Sequence, residues 1–293
     1  MIWRARSHRF VFPRGPIVMG ILNVTPDSFS DGGQFNDVVQ AVERGVEMVR
    51  EGAEIVDIGG ESTRPGAKRV SADEEALRVI PVIRQLRERV EVVLSVDTMK
   101  PSVAEAALKV GVDMVNDVGA SRTEAEMWRL VAKYEAGYVA MHMQGLPQSM
   151  QENPAYGNVM EEVLGFFVDR MLQLKEHGVD LDQVAIDPGI GFGKTMEHNI
   201  TLLRNTSDFL SLSRPILIGL SRKSFLGSLT GAVQPEDRMA GGLGATLWAA
   251  ARGARVFRTH DVRSTVDALR VWEVLASRRA NPESASPNFV KSN

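Results

Sequence analysis

Eight short apolar runs in this 293-residue chain each lead into a polar residue that could do chemistry. The first run ends in Asn23. The second contains Asp57 and runs into Glu61-Ser62-Thr63-Arg64. The third ends in Asp97, the fourth in Asn116-Asp117 and the fifth in His142. The sixth ends in Asp187, the seventh in Ser221-Arg222-Lys223 and the eighth in Arg258-Thr259-His260. One polar residue after a strand is usually a cap or turn residue, because Asp, Asn, Ser and Thr favour those positions. Eight such endings are harder to explain that way. Arg and Lys are poor caps, and Asp57, Asp97 and Asp187 abut strongly apolar residues. Carboxylates there are expected to be partly buried and to need partners.

The residue types suggest what such partners would be. Two or three carboxylates plus an Asn suit the donor-rich edge of a flat heterocycle such as an aminopyrimidinone. A carboxylate accepting from two parallel N–H groups is a strong bidentate arrangement. Arg64, Arg258 and His260 suit a phosphate or diphosphate, Arg through its fork of donors. Lys223 suits a place over a ring or beside an anion. Asn23 and Asp31 are oxygen ligands of the kind Mg²⁺ takes when it shares its shell with substrate phosphates and water. Other residues read as ordinary structure. His142 reads as a wall histidine, Met141 and Met143 as packing, and Lys68, Arg69 and the 87–89 run as solvated faces. His198 lies near a helix start and receives no role.

These residues need elements to position them. The apolar runs cover 17–22, 55–58, 92–96, 114–118, 138–141, 184–186, 216–220 and 256–257. They are near-continuous and rich in Val and Ile, as strands covered on both faces are. Between them, segments 37–51, 72–90, 102–110, 123–135, 158–177, 237–252 and 264–277 carry apolar residues at helical spacing. This alternation predicts an α/β fold, a single-domain (β/α)8 TIM barrel over 16–278, with every strand-end polar residue at one mouth. A doubly wound open sheet is the structural alternative, but no G-x-G-x-x-G follows the first strand. Segments 25–34 and 59–69 are long, polar and glycine-bearing, as lids or binding loops are. The glycine-rich stretch 187–194 lacks Walker spacing.

Composition bounds the rest. Apolar residues make up 44% and charged residues 24%, enough for a large core. A net charge of -3 gives no reason to expect a nucleic-acid or acidic-membrane partner. Cysteine is absent, which excludes disulfides and thiol nucleophiles and fits a reducing, cytoplasmic compartment. No apolar run approaches the roughly 20 residues of a membrane span. Residues 1–15 read as a short basic extension rather than a signal peptide, and 279–293 as a disordered tail.

The motifs can also be read together. The stretch Met19-Gly20-Ile21-Leu22-Asn23-Val24-Thr25-Pro26-Asp27-Ser28-Phe29-Ser30-Asp31-Gly32-Gly33 resembles the first signature of dihydropteroate synthases. Asp57-Ile58-Gly59-Gly60-Glu61-Ser62-Thr63-Arg64-Pro65-Gly66-Ala67 resembles the second. Ser95-Val96-Asp97-Thr98, Asn116-Asp117, Met141-His142-Met143-Gln144-Gly145, Asp187-Pro188-Gly189-Ile190-Gly191-Phe192-Gly193-Lys194-Thr195, Ser221-Arg222-Lys223-Ser224-Phe225-Leu226-Gly227 and Arg258-Thr259-His260-Asp261 resemble the remaining blocks, in order. The resemblance spans roughly 17–270.

It implies a folate-pathway transferase that joins 6-hydroxymethyl-7,8-dihydropterin diphosphate to 4-aminobenzoate, with Mg²⁺ assisting and diphosphate leaving. By motif, Asp97, Asn116, Asp187 and Lys223 resemble the pterin-binding set. Asn23, Thr63, Arg64, Arg258 and His260 resemble the diphosphate-binding set, with Asn23 the metal-associated residue. Thr63, Arg64, Pro65, Phe192, Lys223 and Ser224 resemble the aminobenzoate site, which sulfonamides also occupy. Asn23, Asp31, Arg64, Lys223, Arg258 and His260 are the residues expected to act in catalysis. A homodimer is implied by the family alone. Two departures concern the wall: Gly119-Ala120-Ser121 where many members have Ser-Gly-Gly, and Met99 where tyrosine is commoner. The competing readings are a non-catalytic or methyl-transferring pterin-binding barrel, and a phosphosugar barrel enzyme.

Overall fold

The computed structural model describes residues 1–25, 33–62, 69–120, 125–145 and 149–277. In chain order the strands are β1 (Ile2–Ala5), β2 (His8–Val11), β3 (Ile17–Asn23), β4 (Ile55–Gly59), β5 (Val93–Asp97), β6 (Met114–Asp117), β7 (Gly137–Met141), β8 (Val184–Asp187), β9 (Leu217–Gly219) and β10 (Val256–Thr259). The helices are α1 (Gly33–Glu51), α2 (Ala72–Arg87), α3 (Pro101–Lys109), α4 (Glu126–Tyr134), α5 (Val159–Glu176), α6 (Met196–Arg204), α7 (Ser224–Thr230), α8 (Met239–Ala251) and α9 (Val262–Ala276).

Strands β3 to β10 form one parallel sheet in the order β8-β7-β6-β5-β4-β3-β10-β9. A parallel pairing of Ile186 with Ile216, just ahead of β9, joins its two ends. The fold is the expected (β/α)8 barrel. All eight expected strand segments are present, within a residue or two at each end. Helix α7 lies where no helix was expected, and of α6 only a start near His198 was read. With seven residues α7 is too short for apolar periodicity to stand out.

Strand alternation divides the apolar residues into two cores. One set, including Val18, Leu22, Val56, Ile58, Leu94 and Val96, packs outward against the helices. The other set is Ile17, Met19, Ile55, Val93, Met114, Val139, Ala185, Leu217 and Val256, which fill the barrel interior. The same parity carried two or four residues further along each strand reaches Asn23, Asp57, Asp97, Asn116, Asp187 and Arg258. One period of two therefore packs the base of the barrel and arms its mouth.

The base is closed from below. Strands β1 and β2 pair antiparallel, and Trp3, Ala5, Phe10 and Phe12 from this hairpin join the interior cluster. Trp3 is fully buried and its indole N–H donates to the Gln183 carbonyl at 3.0 Å. The residues read as an extension are thus built into the barrel floor. The 87–89 run is also less solvated than expected. Arg87 lies 2.6 Å from Asp113 and donates to the Gly111 carbonyl at 3.2 Å, tying α2 to the strand after α3. Among the described residues no helix is long and apolar enough to cross a membrane.

Candidate active site at the barrel mouth

Arg258 organises the floor of the mouth. Its Nε donates to Asp57 Oδ2 at 2.6 Å and one terminal nitrogen donates to Asp97 Oδ2 at 2.6 Å. Asn116 Nδ2 donates to the same Asp57 oxygen at 2.9 Å. Asp57 is fully buried, and its Oδ1 has no hydrogen-bond partner among the described residues. Burial pushes Asp97 up to about 7, against the pull of Arg258 and with repulsion from Asp57, Glu75 and Asp117 added. Burial also opposes the charge on Arg258, but the Asp57 and Asp97 carboxylates outweigh it and hold the guanidinium above its ordinary value. One cation thus serves two buried carboxylates, an arrangement with acceptor capacity left over for a ligand's N–H groups.

A second cluster stands across the mouth. Asp187 Oδ1 accepts from the Gly189 N–H at 2.7 Å. Burial raises the Asp187 pKa, while that hydrogen bond, Lys223, Lys194 and Arg258 pull it back. Lys223 follows β9 and precedes α7, and its ammonium lies 3.8 Å from the centre of the Phe192 ring. Burial lowers Lys223 to about 8, with Asp187 and Asp97 supporting its charge and Arg258 opposing it. A half-buried lysine over an aromatic ring, beside two carboxylates, can hold a planar substrate and sense its charge.

The third cluster forms one side of the mouth, where β9 and β10 are neighbours. Ser221 Oγ lies 3.0 Å from His260 Nδ1 and donates to Asp261 Oδ2 at 3.3 Å. The Asp261 Oδ1 accepts from Arg222 at 3.2 Å. Since the serine hydroxyl gives its proton to Asp261, it is left to accept from the His260 Nδ1–H. Next to this cluster a cavity of about 410 Å³ opens toward α1 and α9. Asn23, His260, Arg222, Arg44 and Arg263 border it. Glu51 and Asp261 also border it and pair with Arg44 at 2.9 Å and Arg222 at 3.2 Å, so a modest excess of basic side chains faces an anion there.

Most of the expected site residues therefore converge. Asp97, Asn116, Asp187 and Lys223 share the central mouth, and Asn23 and His260 share the cavity wall. Arg258, expected with His260, is instead bonded to Asp57 and Asp97, and so links the two groups. Ser224 is exposed at the first position of α7. Asp31, Thr63, Arg64 and Pro65 lie outside the described residues. Several residues that complete the site had no role from sequence. Asp57 was singled out only as a carboxylate in need of a partner; its parity with Ile55 is the signal that turns it inward. Ser221, Arg222 and Asp261 stood at the right strand ends, but only the β9–β10 adjacency joins them. Asp117 faces away from the mouth, accepting from Tyr138 at 2.8 Å and from the Gly119 N–H at 2.9 Å.

A parallel barrel with buried carboxylates, a low-pKa lysine and a cationic cavity at its C-terminal mouth defines an enzyme for a flat, donor-rich, anion-bearing substrate. The family model of the pterin binding enzymes matches residues 19–260. A dihydropteroate synthase of Escherichia coli K12 is 46% identical over 268 residues, covering 91% of this chain and 94% of that protein. The Xanthomonas albilineans dihydropteroate synthase with 4-aminobenzoic acid superimposes with a TM-score of 0.87 at 46% identity, covering 94% of this chain and 97% of that one. The same enzyme in complex with 7,8-dihydropteroate gives 0.85 at 43% identity, covering 94% and 98%. The chain belongs to the pterin binding enzyme family and, within it, to the dihydropteroate synthases.

Proposed function

We propose how this transferase of folate biosynthesis divides its reaction among the parts of the mouth. The reaction condenses 6-hydroxymethyl-7,8-dihydropterin diphosphate with 4-aminobenzoate to give 7,8-dihydropteroate and diphosphate. The observation that carries the assignment is the inward-facing set Asp97, Asn116 and Asp187 with Lys223 opposite. Asp97 and Asp187 accept from the pterin's N–H groups, with Asn116 completing the edge and Arg258 holding Asp97 in place. Lys223 stands between the pterin and Phe192, which with Ser224 serves the aminobenzoate. Thr63, Arg64 and Pro65 join that site by motif. That the Xanthomonas albilineans enzyme binds 4-aminobenzoic acid and 7,8-dihydropteroate supports the choice of ligands. A sulfonamide would enter by the aminobenzoate side.

Diphosphate belongs to the cavity bordered by Asn23 and His260. The bond that breaks joins the pterin's exocyclic carbon to oxygen, and its electron pair leaves with diphosphate. The aromatic amine's lone pair then forms the new C–N bond, and the amine proton departs to solvent or diphosphate. The pterin ring can share the positive charge that develops on its carbon, so the step needs no protein nucleophile. Hydrogen bonds from His260 and the charges of Arg222 and the other arginines around the cavity stabilise the charge on the leaving group. Arg64 and Asp31 are assigned to the same step by motif alone.

Mg²⁺ suits this side of the mouth in a particular way. Among the described residues no group of three acidic or histidine side chains could hold a metal by itself. The Asn23 carboxamide is a single hard oxygen donor, which fits an ion that takes most of its shell from diphosphate and water. Once bound, it would neutralise part of the leaving group's charge. A cytoplasmic location is proposed on the absence of cysteine.

The direct test is diphosphate release in an assay supplied with both substrates. Release that depends on both, and its loss in Asp97→Asn and Lys223→Ala proteins of native circular dichroism, is the expected result. Full turnover in both variants would remove these residues from the assignment.

A further inference from the structure

The segment that carries Phe192 is pressed against the end of β7. Gly189 and Gly193 have φ of +68° and +60°. A Cβ on Gly189 would sit 1.8 Å from the His142 carbonyl oxygen, and one on Gly193 would sit 2.3 Å from that of Gln144. Three consecutive carbonyls of the segment are each taken by a side chain from elsewhere or from its own end. Gln151 donates to Gly191 at 2.6 Å, Lys194 to Phe192 at 3.0 Å, and the Tyr156 hydroxyl to Gly193 at 2.8 Å.

Lys194 is the residue among these that also grips the other surface. It is 3% exposed. Its ammonium donates to the Phe192 carbonyl at 3.0 Å, to the His142 carbonyl at 3.3 Å and to His142 Nδ1 at 3.0 Å. Three acceptors match the three protons an ammonium has to give. These three acceptors are uncharged, so the bonds to them serve geometry, while the charge of Lys194 also helps to hold the Asp187 pKa down. The Phe192 ring that results from this placement lies 3.8 Å from Lys223.

We infer that Lys194 is a positioning residue for the second substrate, fixing the Phe192 wall against β7 and so against Lys223. The inference rests on the reading of Phe192 as part of the aminobenzoate site. It treats His142 as the acceptor that orients Lys194, with no contact of its own to the reacting atoms.

Steady-state kinetics of the full chain, with each substrate varied in turn, tests it. Loss of a charged hydrogen bond to a carbonyl is expected to raise the KM for 4-aminobenzoate about tenfold in Lys194→Met, with the KM for the pterin diphosphate within about twofold of the parent. Lys194→Gln, which keeps amide donors without the charge, should fall between the two, and it carries the same test if Lys194→Met fails to fold. An equal rise in both KM values, or a Gln variant no better than Met, would show that Lys194 acts through the charge of Asp187, and the positioning role would be wrong. An unchanged 4-aminobenzoate KM in a folded variant would also sink it. Phe192→Ala is the companion measurement. If it leaves the 4-aminobenzoate KM unchanged, the inference falls with the site reading beneath it, whereas a rise in Phe192→Ala without one in Lys194→Met locates the failure in Lys194 alone.

Discussion

On the proposed assignment Asp97 and Lys223 bind the pterin in their charged forms, and burial works against each. Asp97 reaches about 7 and Lys223 falls to about 8. Asp97 accepts two parallel N–H groups in bidentate fashion only as a carboxylate, so pterin binding should strengthen as pH rises through about 7. It should weaken as pH rises through about 8, where Lys223 gives up its proton. The expected kcat/KM for the pterin diphosphate is a narrow bell centred between these values, since that parameter reports groups in the free enzyme. Lys223→Arg should lose the alkaline limb, because a guanidinium does not titrate in that range. An alkaline limb that stays in place in that variant would exclude Lys223 as its source. The same shifts predict opposite trends in stability. Between the ordinary carboxylate value of 3.8 and about 7 the folded chain holds a proton on Asp97 that the unfolded chain releases, so this contribution declines as pH rises. Between about 8 and 10.5 the unfolded chain holds the extra proton, on Lys223, and stability rises with pH.

At the scale of the element, the segment between β8 and α6 shows why glycine placement differs in consequence from site to site. Gly231 follows α7 with φ of +77° and nothing within 4 Å of a would-be Cβ. Gly231→Ala should cost about 1 kcal/mol, the ordinary penalty of a left-handed non-glycine residue. Gly189→Ala meets a backbone oxygen at 1.8 Å, so the segment must move off β7. It should lose several times as much stability in urea titration and disturb Asp187, whose carboxylate bonds the Gly189 N–H. Equal losses at the two glycines would mean that the contact with His142 yields easily. The long helices were legible because their periodicity extends over three or more turns. Of α6 only the start near His198 was read, where Thr195 and His198 form a reciprocal cap. Histidine is an unusual partner for such a cap, and its role appears only when both hydrogen bonds are seen.

At the scale of the whole molecule, the hairpin and the outer helices make separate predictions. Trp3→Ala removes a fully buried indole from the barrel floor and should cost roughly 3–5 kcal/mol in denaturant unfolding, far from the mouth. Both KM values should be unaltered; a change in either would mean that the floor communicates with the site. Helix α8 is a surface helix without a single charged residue in its 13. Ala240, Gly244 and Trp248, four residues apart, form its exposed stripe, and Leu229 and Met239 are exposed nearby in sequence. The homodimer that the family resemblance implies is expected to bury this uncharged face. Light scattering should give a dimer mass for the parent and a monomer mass for Gly244→Arg. A monomeric parent at micromolar concentration would end that expectation.

The sequence by itself determined the strands, their parallel burial and the polar residue at the end of each one. These follow from local chemistry, because a chain that is apolar at alternate and intervening positions has to be covered on both faces. It also fixed which residues share a strand face, since that is a matter of parity. What only the tertiary structure decided is which strand ends meet. Asp57 and Asp97 come to Arg258 because closure of the barrel brings the eighth barrel strand against the first, 201 residues from Asp57 and 161 from Asp97. Ser221 meets Asp261 through the pairing of β9 with β10. Lys194 finds His142 because β7 and β8 are neighbours. Parity is a property of one strand, whereas the pairing of charges across a mouth depends on strand order and stagger, which no stretch of sequence contains on its own.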